Sequence, residues 1–135
     1  VHPRHPRRRT NQVPFPRSVL MGIDEPDIDP TRFLEDVEMR VGTVREAEPF
    51  PEARKDLYRL TVDFGTETRR SAAGLTDNYD PDELVGSQVI AVVNLGAVVV
   101  AGFESECLVT GVDDGDGGVV HLAPERDVPD GTRVY

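Results

Sequence analysis

The chain has no tryptophan, one cysteine, one lysine and three histidines in 135 residues. Each scarcity closes off a class of protein. A single thiol, Cys107, rules out an internal disulfide framework and fits a reducing compartment. Set in an apolar run, it reads as a small buried hydrophobe. No stretch approaches the roughly 20 apolar residues that a membrane-spanning helix needs, so membrane insertion is not expected. The N-terminus is basic but has no apolar h-region, because Pro14 and Pro16 interrupt it; a signal peptide is not expected and a cytoplasmic protein is. His2 and His5 lie in the N-terminal tail and His121 in a predicted strand. No Ser/His/Asp or Cys/His set occurs at an informative spacing, so catalysis is not expected. Residues 113–118 are acidic and glycine-rich, but they lack the spacing and closing glutamate of a calcium loop. They read as a hairpin turn, and no metal or other cofactor is implied.

Positive charge is scarce and unevenly placed. The formal net charge is −10. The first 20 residues hold five arginines and no acid, whereas the remainder sets 25 acidic residues against ten basic ones. So acidic a body repels polyanions at long range and keeps the protein soluble. The preference for arginine over lysine, with the heavy acidic load, reads as adaptation to a saline (halophilic) cytoplasm; an ordinary acidic protein is the alternative. In molar salt the Debye length falls to about 3 Å, and the repulsion would largely vanish.

Residues 1–20 have four prolines and no apolar periodicity, which predicts a disordered basic tail, either passive or touching RNA phosphates. Met21 is a possible start of the functional chain. With the acidic linker that follows, residues 1–29 form a flexible extension, and residues 30–135 form one domain. Asp29-Pro30 opens a short helix with Asp29 as cap, Pro30 in the first position and Phe33 and Leu34 as buried anchors. Residues 37–41 alternate as a half-buried strand. The parity shift after Gly42 predicts a bulge there. Residues 57–64 alternate most clearly: Tyr58, Leu60, Val62 and Phe64 face one way and Arg59, Thr61 and Asp63 the other. Residues 69–73 are the hairpin partner. Asp80-Pro81 opens a second short helix with Glu83 at the capping-box position. The organising stretch is 88–112, where apolar runs of five or six residues read as two buried strands at the centre of the chain, with the shorter run 98–100 and a polar knuckle at 102–106 between 89–93 and 107–112. Five or six short strands, a helix between the third and fourth, and no βαβ alternation make this an all-β chain. The order of elements is that of the OB-fold, a five-stranded barrel, among other small barrels.

Several stretches together resemble one family: residues 33–44; 49–55 with 57–58 and 62–65; 71–75, Tyr79 and 81–86; 92–95; 101–106; and 129–134. Their order end to end is similar to that of CsaA-like proteins, within the tRNA-binding OB-fold domains that also occur on some methionyl-tRNA synthetases. The resemblance implies a non-catalytic homodimer whose partner is tRNA, bound by shape. As an alternative it implies an export-related chaperone that binds unfolded or preprotein polypeptides. Carried onto this chain, Asn94, Ser105 and Glu106 match the family's polar positions and Arg54 and Lys55 its basic loop. Asn and Ser can bond an unstacked base or a 2′-hydroxyl, and Arg and Lys can hold phosphate. Capping of strand ends is the other reading of Asn94 and Ser105. The chain departs from the family after Asn94-Leu95, where Pro with Arg or Lys is usual and residues 96–100 carry no charge. That loss weakens the case for phosphate binding. It leaves Val98, Val99, Val100 and Phe103 as a candidate peptide surface or a buried dimer contact.

Overall fold

The computed structural model describes residues 22–135. The predicted basic tail and the candidate start at Met21 lie outside the described residues. Residues 22–29 carry no helix or strand, and Ile23 and Ile28 are exposed.

Helix α1 (Pro30–Asp36) starts as its sequence dictates: the Asp29 carboxylate accepts the Thr31 N–H at 3.0 Å, and Pro30 occupies the first turn. It is followed by β1 (Met39–Pro49), β2 (Tyr58–Asp63) and β3 (Thr68–Ala73), then α2 (Pro81–Leu84) and β4 (Gln88–Val92). The remaining strands are β5 (Val98–Val100), β6 (Phe103–Ser105), β7 (Leu108–Val109), β8 (Gly111–Asp113) and β9 (Val119–His121). The main sheet is antiparallel with order β3-β2-β1-β4-β7, and β5-β6 and β8-β9 are separate hairpins. This is a nearly closed, OB-like barrel.

β1 is long because it serves both halves of the sheet. Residues 43–49 pair with β2 and residues 39–43 with β4. Where it crosses between them, Val41, Gly42, Thr43 and Val44 are buried in succession. The predicted bulge exists but not at Gly42: the register with β2 slips between Val44 and Glu46, which puts Arg45 in the bulge. Gly42 has another task. A Cβ there would stand 2.6 Å from Val62 Cγ1 and 2.9 Å from the Phe64 ring. Its lack of a side chain lets the β2 residues close over the bend.

The core follows the alternation read from β2. Tyr58, Leu60, Val62 and Phe64 are buried, together with Val44, Leu75, Leu84, Val89, Ala91 and Cys107. Leu84 comes from α2, whose first turn is tied by the Glu83 carboxylate accepting the Asp80 N–H at 2.7 Å. The C-terminal segment closes one side of β1: Val41 donates to Thr132 O at 2.9 Å, and Gly131 donates to Val41 O at 2.7 Å. Gly131 has φ +91°, which suits the turn, and a Cβ there would meet Phe64 O.

Two expectations about burial do not hold. Phe33 is half-buried and Leu34 is 44% exposed, because α1 is held by hydrogen bonds rather than by packing. Arg133 Nη2 donates to Leu34 O, and Asn94 Nδ2 donates to Asp36 O at 3.0 Å. The run 98–100 lies outside the core. Val98 and Val99 are 61% and 66% exposed in the β5-β6 hairpin, which is a separate two-stranded sheet docked against β3. In the 107–112 run Cys107 is buried, while Leu108 and Val112 are exposed. Composition alone does not separate a core strand from an apolar strand laid on the outside.

Candidate nucleic-acid interface

β3 and β7 are the two edges of the main sheet, and the seam between β3 and the chain around residue 106 is held largely by side chains. Glu106 N–H donates to Arg70 O at 2.7 Å, and the Arg70 N–H donates back to Glu106 Oε1 at 2.9 Å. Two positions on, the Ala72 N–H donates to Ser105 Oγ at 3.0 Å. A carboxylate and a hydroxyl thus stand in for the carbonyls of a neighbouring strand. Ser105 and Glu106, both expected at a binding site, are brought together here, with polar atoms engaged in closing the barrel.

Asn94 lies apart from that seam. Its Oδ1 accepts the Glu38 N–H at 2.9 Å and its Nδ2 donates to Asp36 O, so it joins the β4 exit to the junction of α1 and β1. This matches the strand-capping reading, although the side chain is also exposed.

Arg54 and Lys55 sit on the β1-β2 loop, whose neck is closed by the Phe50 N–H donating to Leu57 O at 3.2 Å. Both are exposed and pair with no carboxylate among the described residues. That is unusual in a chain so rich in acid. Arg32, Arg40, Arg45, Arg59 and Arg69 each hold a carboxylate, and Arg133 donates to backbone carbonyls. Arg126 and Glu125 approach only to 3.9 Å, both about nine-tenths exposed.

One further cation pairs with no carboxylate: Arg70, on the outer face of β3. The β2-β3 register sets Arg59 opposite Ala72 and Thr61 opposite Arg70. With Leu60 and Ser71 turned inward, Arg59 and Arg70 project from the same outer face. Two aromatic rings lie between their guanidiniums. Arg59 stands 5.1 Å from the Phe50 centroid and Arg70 4.7 Å from that of Phe103. The two rings meet edge to face, with centroids 5.4 Å apart. The Arg59 charge is shared with Glu48 at 2.8 Å.

Neither Arg59, Arg70 nor Phe50 was singled out by the sequence reading. A partial signal was present: Arg59 lies on the polar face of the alternating run 57–64, and Arg70 lies in its predicted hairpin partner. Their convergence on Phe50 and Phe103 depended on the hairpin docking against β3, which periodicity does not reveal. Phe103, a candidate for peptide contact, is half-buried in this cluster, and Val100 is half-buried too. Val98 and Val100, with Ala72, Leu95 and Leu108, line an apolar groove of about 250 Å³ beside the seam.

Electrostatically the seam holds one suppressed group. Burial pushes the Cys107 thiol up to about 11, with Arg69 offsetting part of that rise. It is therefore a neutral packing group at physiological pH. Among the described residues no cluster of His, Cys, Asp or Glu could hold a metal ion, and no helix is long and apolar enough to cross a membrane.

Residues 39–133 match the model of a putative tRNA binding domain. A methionine–tRNA ligase from Methanocaldococcus jannaschii is 37% identical over 102 residues, covering 76% of this chain and 16% of that protein. The ligase from Bacteroides fragilis is 37% identical over 98 residues, 73% of this chain and 14% of that one. The chain thus spans about a sixth of the curated relatives it matches. Among solved structures, the chaperone CsaA from Bacillus anthracis superposes with a TM-score of 0.74 at 40% identity, over 81% of this chain and 100% of that one. A MetRS-related protein from Pyrococcus horikoshii gives 0.71 at 34% identity, over 82% and 100%.

Proposed function

The chain belongs to the putative tRNA-binding domain family, and from that premise we propose that it is a non-catalytic module that binds tRNA by backbone shape. The observation that carries this reading is the match over residues 39–133, joined to the exposed cations that pair with no carboxylate among the described residues: Arg54 and Lys55 on the β1-β2 loop and Arg70 on β3. Arg54 and Lys55 on the loop would hold phosphates, with Arg70 and the partly neutralised Arg59 beside them. Ser105 and Glu106 would act chiefly by positioning β3, and Asn94 by fixing the approach of α1. The binding domain is taken as residues 30–135, with residues 1–29 as its extension.

With so few cations the footprint is small. About three neutralised phosphates correspond to a log–log salt slope of roughly −2 to −3. The test is titration of the full chain with tRNA across salt concentrations. Saturable binding with that slope, weakened in the Arg54→Ala/Lys55→Ala variant, is expected. A variant that binds as well as wild type over the whole range would remove the loop from the interface.

The exposed Leu95, Val98, Val99 and Leu108 support a homodimer more than a polypeptide-binding surface, because compact apolar patches of this kind serve association. Sedimentation of wild type and Val99→Asp measures it: a dimer for the former and a shift toward monomer for the latter. The acidic, lysine-poor composition supports a halophilic, cytoplasmic setting.

A further inference from the structure

We infer that Arg70, laid over Phe103, is a stacking platform for one unpaired nucleobase of the bound RNA. The inference rests on the tRNA-binding reading and deepens it by naming a base contact beside the phosphate contacts. Three observations carry it. The Arg70 guanidinium has one side covered by the Phe103 ring at 4.7 Å, while the side chain as a whole is exposed. Guanidinium planes stack on aromatic faces and equally on bases, so the side of Arg70 away from Phe103 is open to a base at the end of a run of ring contacts from Arg59 through the edge-to-face pair Phe50 and Phe103.

The backbone of Arg70 is fixed from both sides, since Glu106 receives its N–H at 2.9 Å and donates to its carbonyl at 2.7 Å. The root of the side chain is therefore set before any ligand arrives, which lowers the ordering cost of binding. Finally, Arg70 pairs with no carboxylate among the described residues, while five other arginines of this acid-rich chain do. A guanidinium held against an aromatic ring and left without a counter-charge is arranged for a ligand rather than for stability.

The arrangement also answers a difficulty of the charge balance. An acidic body opposes phosphate binding at low salt, and high salt screens the few phosphate contacts available. Stacking is far less sensitive to salt, so it would retain affinity where the electrostatic contacts fade.

The experiment compares full-length wild type with Arg70→Lys, which keeps the charge and removes the plane. The probes are unfractionated tRNA, a single-stranded RNA oligomer carrying 2-aminopurine, and a long blunt RNA duplex. Arg70→Lys is expected to lose about fivefold or more in affinity for tRNA and for the single strand. It should also lose the 2-aminopurine quenching seen with wild type and keep its duplex affinity within about twofold. The loss should persist at 1 M salt. Phe103→Leu, which removes the ring beneath the guanidinium, should give the same pattern and serves if Arg70→Lys does not fold. Equal binding of all three probes by wild type and variant overturns the stacking role while the tRNA reading stands. Equal weakening for all three, duplex included, makes Arg70 a phosphate contact that needs the guanidinium fork and overturns the stacking role as well. Wild type that binds neither tRNA nor duplex at any salt refutes the tRNA-binding reading itself, and the platform with it.

Discussion

Replacing Glu106 separates framework from ligand contact. Its carboxylate accepts the Arg70 N–H at 2.9 Å, and its own N–H reaches Arg70 O at 2.7 Å. Glu106→Ala keeps the second bond and deletes the first. A hydrogen bond to a charged acceptor contributes about 1.5–3 kcal/mol when protected from water. Glu106 is half-buried and Arg70 exposed, so water can reach the orphaned N–H and recover part of that. The expected loss is about 1–2 kcal/mol for alanine, and less for Glu106→Gln, which keeps a neutral acceptor in place. Equilibrium urea unfolding of the full chain measures both; the midpoint should fall with little change in slope. The tRNA affinity of Glu106→Gln should stay within about twofold of wild type, since the platform keeps its anchor. An alanine variant within about 0.5 kcal/mol of wild type would refute the seam as a stabilising element. A glutamine variant of full stability that has lost tRNA binding would instead make the carboxylate a direct contact.

Two further outcomes follow from close packing and from charge. Gly42→Ala forces a Cβ to within 3 Å of Val62 and Phe64. Because both neighbours are core, a loss of about 1–3 kcal/mol is expected by thermal or urea unfolding, and a neutral variant would contradict the packing at the bend. The Cys107 thiol, raised to about 11 in the folded chain, ionises more readily when unfolded, near 8.5. The folded state therefore holds its proton more tightly. Its contribution is present below about pH 8.5 and is lost as pH rises through about 11, on the order of 3 kcal/mol. Cys107→Ala should flatten that alkaline decline in urea midpoints; an unchanged decline would assign it to other groups.

How much was legible in advance differs from element to element. The alternation of residues 57–64 gave β2 its two faces, and the Asp-Pro pairs gave both helices their starts, because these depend on neighbours in the chain. The glycine at 42 marked the bend of β1, yet its work is to admit Val62 and Phe64, and the bulge falls at Arg45. The valine run 98–100 could not be placed from composition, since a β-prone apolar segment looks the same inside a barrel or on a hairpin outside it. For the site, Arg54 and Lys55 could be read as a basic loop from local charge alone. The parts contributed by Phe50, Arg59, Phe103 and Arg70 could not, because they come from three separate regions of the chain and meet only across the closed seam.

By itself the sequence determined the strand faces, the helix starts, the charge asymmetry and the family, since each is written in composition, spacing or ordered motifs. Only the tertiary structure decided which cations are left without a carboxylate and which polar side chains are consumed in closing the barrel. The physical reason is that ion pairs depend on how strands and turns set nearby charges against each other, as Arg59 meets Glu48 across β1 and β2, while the polar closures join residues more than 30 positions apart, such as Arg70 with Glu106 and Asn94 with Asp36.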